Sequence, residues 1–191
     1  MHNVSFPRFL IPVLTLGLLV GSGCKKDGPE AALPPATQEG KNTAGCLVDG
    51  QAFVARSSGG GVLSAPLPAL GGGFAFDSLY SLTLNGQLNG RGVEIALFVR
   101  GQRPGPYALD QTTAFYPQGS PRVVLNHATV SFRDQGREVY GTDAQHTGQV
   151  VLTKAEVRNG LSAGTFAFTA VSNQTPGKTV TITLGRFDRR L

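Results

Sequence analysis

The stretch GQVVLTKAEVRNGLSAGTFAFTAVSNQTPGKTVTITLGRFD, residues 148–188, decides the fold, because it alternates apolar and polar side chains in three successive runs. Alternation with a period of two predicts β-strands that bury one face. Asn159-Gly160 separates the first two runs and predicts a tight hairpin turn. In the third run Gly185 precedes a change of parity at Phe187, which predicts a β-bulge.

Similar runs occupy the preceding part of the chain. No window of 11 or more residues within residues 44–191 has a convincing helical period. We therefore predict an all-β domain over residues 44–191, a single antiparallel β-sandwich or flattened barrel of about ten short strands. The upstream runs are CLVDGQAFVA (46–55) with a turn at Asp49-Gly50, LTLNGQL (82–88) and VEIALFV (93–99) joined at Asn89-Gly90, and RVVLNHATVSF (122–132) and REVYGT (137–142) joined at 134–136.

Two long connections interrupt these runs, at residues 56–78 and 101–121. GGGVLSAPLPALGGG, residues 59–73, lacks periodicity and predicts a mobile loop, whereas residues 107–109 allow a short strand in the second connection. Loops on a rigid sheet are where β domains usually carry recognition. Both connections are therefore candidate recognition surfaces.

The N-terminus has the pattern of a secretory signal peptide, residues 1–23. Arg8 precedes FLIPVLTLGLLV (9–20), an apolar stretch shorter than the roughly 20 residues that a membrane-spanning helix needs. Small residues follow and end at Cys24. This cysteine resembles the lipidated residue of bacterial lipoproteins, in which the thiol takes a diacylglycerol and cleavage leaves the cysteine as the first residue. We expect lipidation at Cys24.

Residues 24–43 are expected to form the lipidated cysteine and a disordered linker. The segment is rich in Pro, Gly and mixed charge and has almost nothing to bury. As a flexible coil it would span on the order of 25 Å. The residue after Cys24 is lysine and not the aspartate that retains enteric lipoproteins in the inner membrane. By that resemblance the protein is expected in the cell envelope, anchored by lipid to the outer membrane on its periplasmic or surface-exposed face.

Composition limits the possible partners. The chain has 17 basic and 12 acidic side chains, and the arginines are spread rather than clustered. We expect no nucleic-acid partner, because the basic residues form no motif of an RNA or DNA reader. With Cys24 acylated, Cys46 remains alone, so it is expected to be a small buried hydrophobe without a disulfide. We expect a monomer.

GLSAG, residues 160–164, satisfies the G-x-S-x-G pattern of a hydrolase nucleophile around Ser162. That motif needs a strand before the serine, a helix after it and a later histidine. Here a turn precedes Ser162, a β pattern follows, and the last histidine is His146. The match is interpreted as accidental, and we predict no catalytic residues.

Two histidines belong to the predicted domain. His127 shares a strand face with apolar residues and is interpreted as a strand residue at a partly buried edge. His146 follows Asp143 by three residues, and a three-ligand metal site could be drawn with Asp134 or Glu138. Scattered polar loop residues would give the same pattern, so we predict neither a metal site nor a cofactor.

LPPATQEGKNTAGCLVDGQAFV, residues 33–54, and the C-terminal stretch ending in GRFD are together similar to an uncharacterised family of Gram-negative envelope lipoproteins, classed as a domain of unknown function. The family pairs an LPPATQEGKNT-x-GC start with an SGTF-x-F … GRFD end. Here residues 162–166 carry one residue more than SGTF. The resemblance implies the same fold and envelope location. It brings no activity and no catalytic residues.

Three classes of function remain open. A non-catalytic binding or interaction module, contacting a protein or glycan, agrees best with the anchor, the linker and the long connections. A barrel-type carrier of a small apolar ligand is the first alternative, because residues 93–99 are apolar on both faces. A hydrolase is the second. A cavity of several hundred Å³ inside the sheet would favour the carrier, and a filled core would favour contact through the surface.

Overall fold

The computed structural model describes residues 28–59, 65–76, 78–111, 125–133 and 138–191. Within these ranges the chain forms strands and two short 3₁₀ turns, Pro29–Ala32 and Val157–Asn159. The strands are β1 Thr43–Val48, β2 Gln51–Val54, β3 Leu70–Ala75, β4 Leu79–Leu88, β5 Arg91–Arg100, β6 Gly105–Leu109, β7 His127–Arg133, β8 Glu138–Gly141, β9 Gly148–Glu156, β10 Leu161–Ser172 and β11 Thr179–Arg190. The all-β prediction is confirmed.

The strands form one curled antiparallel sheet in the order β2-β1-β11-β10-β8-β7-β5-β4-β3. The long strand β10 is a branch point: residues 161–168 pair with β9, and Val171 and Ser172 pair with β8 along the same edge. β9 in turn carries β6. The sheet curls until the segment after β2 meets β4, where the backbone N–H of Arg56 donates to the carbonyl oxygen of Asn85 at 2.8 Å.

Aromatic side chains fill the interior of the curl. The rings of Tyr80 and Phe187 lie 6.1 Å apart, and Tyr80 also contacts Phe74 at 5.1 Å. Phe166 continues the series, 6.4 Å from Phe187 and 6.5 Å from Phe168. Ring pairs at 4.5–7 Å stabilise a core beyond the area they bury. The inner faces of β3, β4, β10 and β11 are thus joined by continuous packing.

Two of the predicted hairpin turns are confirmed. Asp49 and Gly50, between β1 and β2, have φ of 47° and 78°. Asn89 and Gly90, between β4 and β5, have φ of 52° and 79°. Left-handed backbone at both central residues matches the twist of the strands, and Asn, Asp and Gly accept it at least cost.

The Asn159-Gly160 turn is longer than predicted. Asn159 ends a 3₁₀ turn, and only Gly160 is left-handed, with φ of 60°. The predicted bulge in β11 is confirmed, because the pairing with β10 changes register between Phe166 and Phe168. Leu184 has φ of 52° there, so the left-handed residue precedes Gly185.

The long connections contain more strand than predicted. β3 occupies residues 70–75 and pairs with β4, although its glycines predicted a loop. β6 occupies residues 105–109 and includes the short strand expected at 107–109. Residues 60–64 and 112–124, and the turn predicted at 134–136, lie outside the described residues.

Of the predicted linker, residues 24–43, the structure describes the part from Gly28 onward. Residues 28–42 lie on the domain in a defined conformation, and Leu33 is buried at 8% exposure. The signal peptide and Cys24 lie outside the described residues. In the described part of the chain, no helix has the length and apolarity needed to cross a membrane.

Candidate functional site

The carboxylate of Asp188 holds the N-terminal segment on the domain. Its Oδ2 accepts hydrogen bonds from Thr37 Oγ1 at 2.5 Å and from the backbone N–H groups of Glu39 at 3.0 Å and Lys41 at 3.2 Å. Its Oδ1 accepts from the N–H of Gly40 at 2.6 Å. We call Asp188 and residues 37–41 the N-terminal clamp. Four donors converge on one carboxylate, so both of its oxygens are satisfied although the residue is only 1% exposed.

The clamp favours the ionised carboxylate. Burial alone would raise the pKa of Asp188, but the hydrogen bonds from Thr37 and the three backbone N–H groups together hold its pKa below the ordinary value. Hydrogen bonds to a charged acceptor are shorter and about twice as strong as those between neutral groups. The clamp is therefore a charge-assisted attachment of the N-terminal segment to the last strand.

Local sequence lets the segment reach Asp188. Gly40 has φ of 78°, and a Cβ there would lie 2.7 Å from Arg190 Nε, so only glycine fits without rearrangement. Within β1, a Cβ at Gly45 would lie 2.8 Å from Pro34 Cδ, which shows how closely the N-terminal segment packs on β1. Directly after the clamp, Asn42 Oδ1 accepts a hydrogen bond from the backbone N–H of Arg190 at 2.9 Å.

This geometry explains why two distant sequence motifs occur together. The segment LPPATQEGKNT supplies the donors, and the aspartate of GRFD is Asp188, about 150 residues later. Neither motif indicates the contact alone, because three of the four donors are backbone N–H groups that any residue except proline provides. The clamp was missed at the sequence level for that reason.

An open groove of about 690 Å³ lies beside the start of the described chain. One wall is the end of the first 3₁₀ turn, and the others come from β2, the residues after β2 and β4. Arg56, which is exposed, is the one charged side chain among the described lining residues. The lining includes Ala32, Ala52, Val54, Arg56, Ser57 and Gly86, which we call the N-terminal groove.

The G-x-S-x-G serine is not in a nucleophile elbow. Ser162 lies within β10, which continues to Ser172 as a strand, and it is 2% exposed. Its hydroxyl forms a hydrogen bond of 3.0 Å with the hydroxyl of Tyr80. Ser162 therefore acts as a buried polar contact between β10 and β4.

His127 is more deeply buried than predicted. It is 1% exposed, and its ring stacks on Phe98 with centroids 4.6 Å apart. Nδ1 donates to the carbonyl oxygen of Leu125 at 2.6 Å, and Nε2 has no hydrogen-bond partner among the described residues. Burial lowers the pKa of His127, so the ring is neutral near pH 7.

The residues considered as metal ligands make separate contacts. Asp143 accepts from the N–H of His146 at 2.6 Å, and its Oδ1 lies 3.0 Å from the imidazole Nδ1. Glu138 instead accepts from Lys178 Nζ at 2.6 Å, which lowers the pKa of this carboxyl to about 2. Asp134 lies outside the described residues, and those described contain no cluster of three such ligands.

Cys46 is buried as predicted. It lies in β1 with 0% exposure, and it is a free thiol. Burial raises its pKa to about 12, so the reactive thiolate is not formed near neutral pH. Cys46 is a core residue.

The fold and the clamp define a class: an all-β domain of one curled antiparallel sheet, with its N-terminal segment attached to its last strand. Residues 75–189 match the domain of unknown function DUF6252, and because this is more than half of the chain, the protein belongs to that family. The match includes Asp188 and excludes the segment that Asp188 binds. No curated protein and no solved structure matches the chain.

Proposed function

We propose that this protein is a lipid-anchored envelope lipoprotein, held in the outer membrane by acylation of Cys24, and that it acts as a non-catalytic interaction module. The observation that carries the proposal is the clamp. It attaches the segment that follows Cys24 to β11, so that the domain is held through its own N-terminus. In a chain anchored at Cys24, this attachment would fix the point on the domain from which the connection to the membrane starts.

The filled interior supports an interaction module over a carrier. The packed rings of Tyr80, Phe187 and Phe166 occupy the centre of the curled sheet, where an apolar ligand would have to bind. The N-terminal groove is instead open at the surface. Contact through the surface is the mode that this arrangement favours.

The proposal is tested by the chemistry of the N-terminus. Mass spectrometry of the protein purified from membranes is expected to show a mature chain that begins at Cys24 and carries a diacylglyceryl group. Cys24→Ser should abolish both the modification and membrane partition, whereas Cys46→Ser, a matched change at the buried thiol, should leave both intact. An unmodified N-terminus elsewhere would contradict the lipoprotein assignment, and turnover of ester or glycan substrates by the purified domain would contradict the non-catalytic one.

A further inference from the structure

The clamp shortens the connection between the proposed anchor and the folded domain. The described chain begins at Gly28, four residues after Cys24. Four residues span at most about 14 Å even when fully extended. This limit holds for any conformation of the connection, and it is well below the reach of the linker expected from sequence. Its consequence for the membrane rests on the proposed acylation of Cys24.

That length is small compared with the domain. A domain of this size has a radius of gyration of about 15 Å. With an acylated Cys24 at the level of the lipid headgroups, the surface near Gly28 cannot lie more than one such radius away from them. The domain is therefore held near the bilayer, with the side that carries the first 3₁₀ turn nearest to it.

We infer that the N-terminal groove is a docking surface for the phospholipid headgroups of the bilayer in which Cys24 is anchored. Ala32, in the groove wall, is four residues from Gly28 along a 3₁₀ turn that rises only about 2.0 Å per residue. The groove is therefore next to the point where the chain leaves for the membrane. Its volume of about 690 Å³ and its open shape suit a headgroup.

The chemistry of the groove fits a phosphate. Arg56 presents a guanidinium, which binds phosphate oxygens through paired hydrogen bonds, and Ser57 is an exposed neighbour. Glu30, an exposed carboxylate in the 3₁₀ turn, repels a phosphate, so the attraction of the groove depends on Arg56.

Site-specific labels on the full lipidated chain test the inference. The protein is reconstituted in vesicles of phosphatidylethanolamine and phosphatidylglycerol, with a fluorophore on Ser57→Cys or, as the control, on Asn173→Cys. Cys46 is buried and the thiol of Cys24 is acylated, so neither competes for the label. Val54, shortly before Ser57, is level with Arg186 of β11 through Gly45 of β1. Asn173 lies in the β10–β11 connection near Thr179, seven residues or about 23 Å from that level along β11.

The expected result is quenching of the Ser57→Cys label by headgroup-nitroxide lipid, with none for the Asn173→Cys label. Equal exposure of both labels to an aqueous quencher, in protein whose acylation is verified by mass spectrometry, would overturn the docking surface and leave the lipoprotein assignment intact. A chain without lipid at Cys24 would overturn that assignment instead.

Two charge reversals test the headgroup contact itself. Arg56→Glu is expected to reduce quenching of the Ser57→Cys label, whereas Arg158→Glu, at an exposed position in the turn between β9 and β10, should not. Asp188→Asn should also reduce it, because release of the clamp lengthens the connection. If Arg56→Glu leaves the quenching unchanged, headgroups do not occupy the groove.

Discussion

At the scale of single residues, Asp188 shows how a carboxylate can organise a segment that has little to bury. Residues 34–42 contain few apolar side chains, which is why the sequence predicts disorder. One ionised group with four donors supplies the missing stabilisation. Because the donors are mainly backbone groups, the residue that matters most is the acceptor on β11.

Replacement of Asp188 by Asn is expected to release the N-terminal segment. Asn puts an NH₂ group among donors, so at least one backbone N–H loses its acceptor, at a cost of about 1.5–3 kcal/mol for a hydrogen bond to a charged group. Trypsin should then cut after Lys41, which the wild type protects by binding the Lys41 N–H. Asp143→Asn, which removes a comparable acceptor in another turn, is the control and should not expose Lys41. Equal cleavage of the wild type and Asp188→Asn would show that the clamp does not hold the segment.

At the scale of elements, the alternation of apolar and polar side chains predicts most of the strands. The differences between prediction and structure arise from features that do not depend on side chains. β3 was missed because Gly71, Gly72 and Gly73 carry no alternating side chains, yet their backbone groups pair fully with β4. The turn at Asn159-Gly160 was predicted in the correct place but too short, because a 3₁₀ turn has no strong sequence signal. The change in apolar and polar alternation after Gly185 did predict the bulge, because a bulge changes which face of the sheet each side chain occupies.

The bulge gives a prediction at this scale. A Cβ at Gly185 would lie 2.5 Å from the carbonyl oxygen of Phe166 on the neighbouring strand, so Gly185→Ala must push β10 and β11 apart. We expect a loss of about 1–3 kcal/mol in the free energy of unfolding, measured with urea. Gly71→Ala is the matched control in a strand, because its Cβ would lie 3.6 Å from Thr83 Cβ, an ordinary contact. Equal stability of the two variants would mean that the strands separate without cost at the bulge.

At the scale of the whole molecule, the fold class followed from local pattern, whereas the candidate site did not. Apolar alternation is repeated in most of the strands, so errors in single elements leave the all-β class unchanged. The clamp depends on four hydrogen bonds to Asp188 that span 147 to 151 positions, and the groove depends on how the curl brings β2 to β4. Both are products of strand order, which the sequence pattern leaves open.

Low pH should destabilise the folded protein through the hydrogen bonds of Asp188 in the clamp. The folded-state pKa of Asp188 lies below its ordinary value, so its contribution to stability is complete above the unfolded pKa, near 3.9, and is lost as the pH falls through the folded value. Glu138 has a pKa of about 2, so its contribution to stability is also lost as the pH falls. Urea unfolding of wild type and Asp188→Asn should therefore differ most at neutral pH and converge in strong acid, where the wild-type carboxyl is also uncharged. A constant difference between the two curves at every pH would show that the charge of Asp188 does not stabilise the clamp and that only its shape matters.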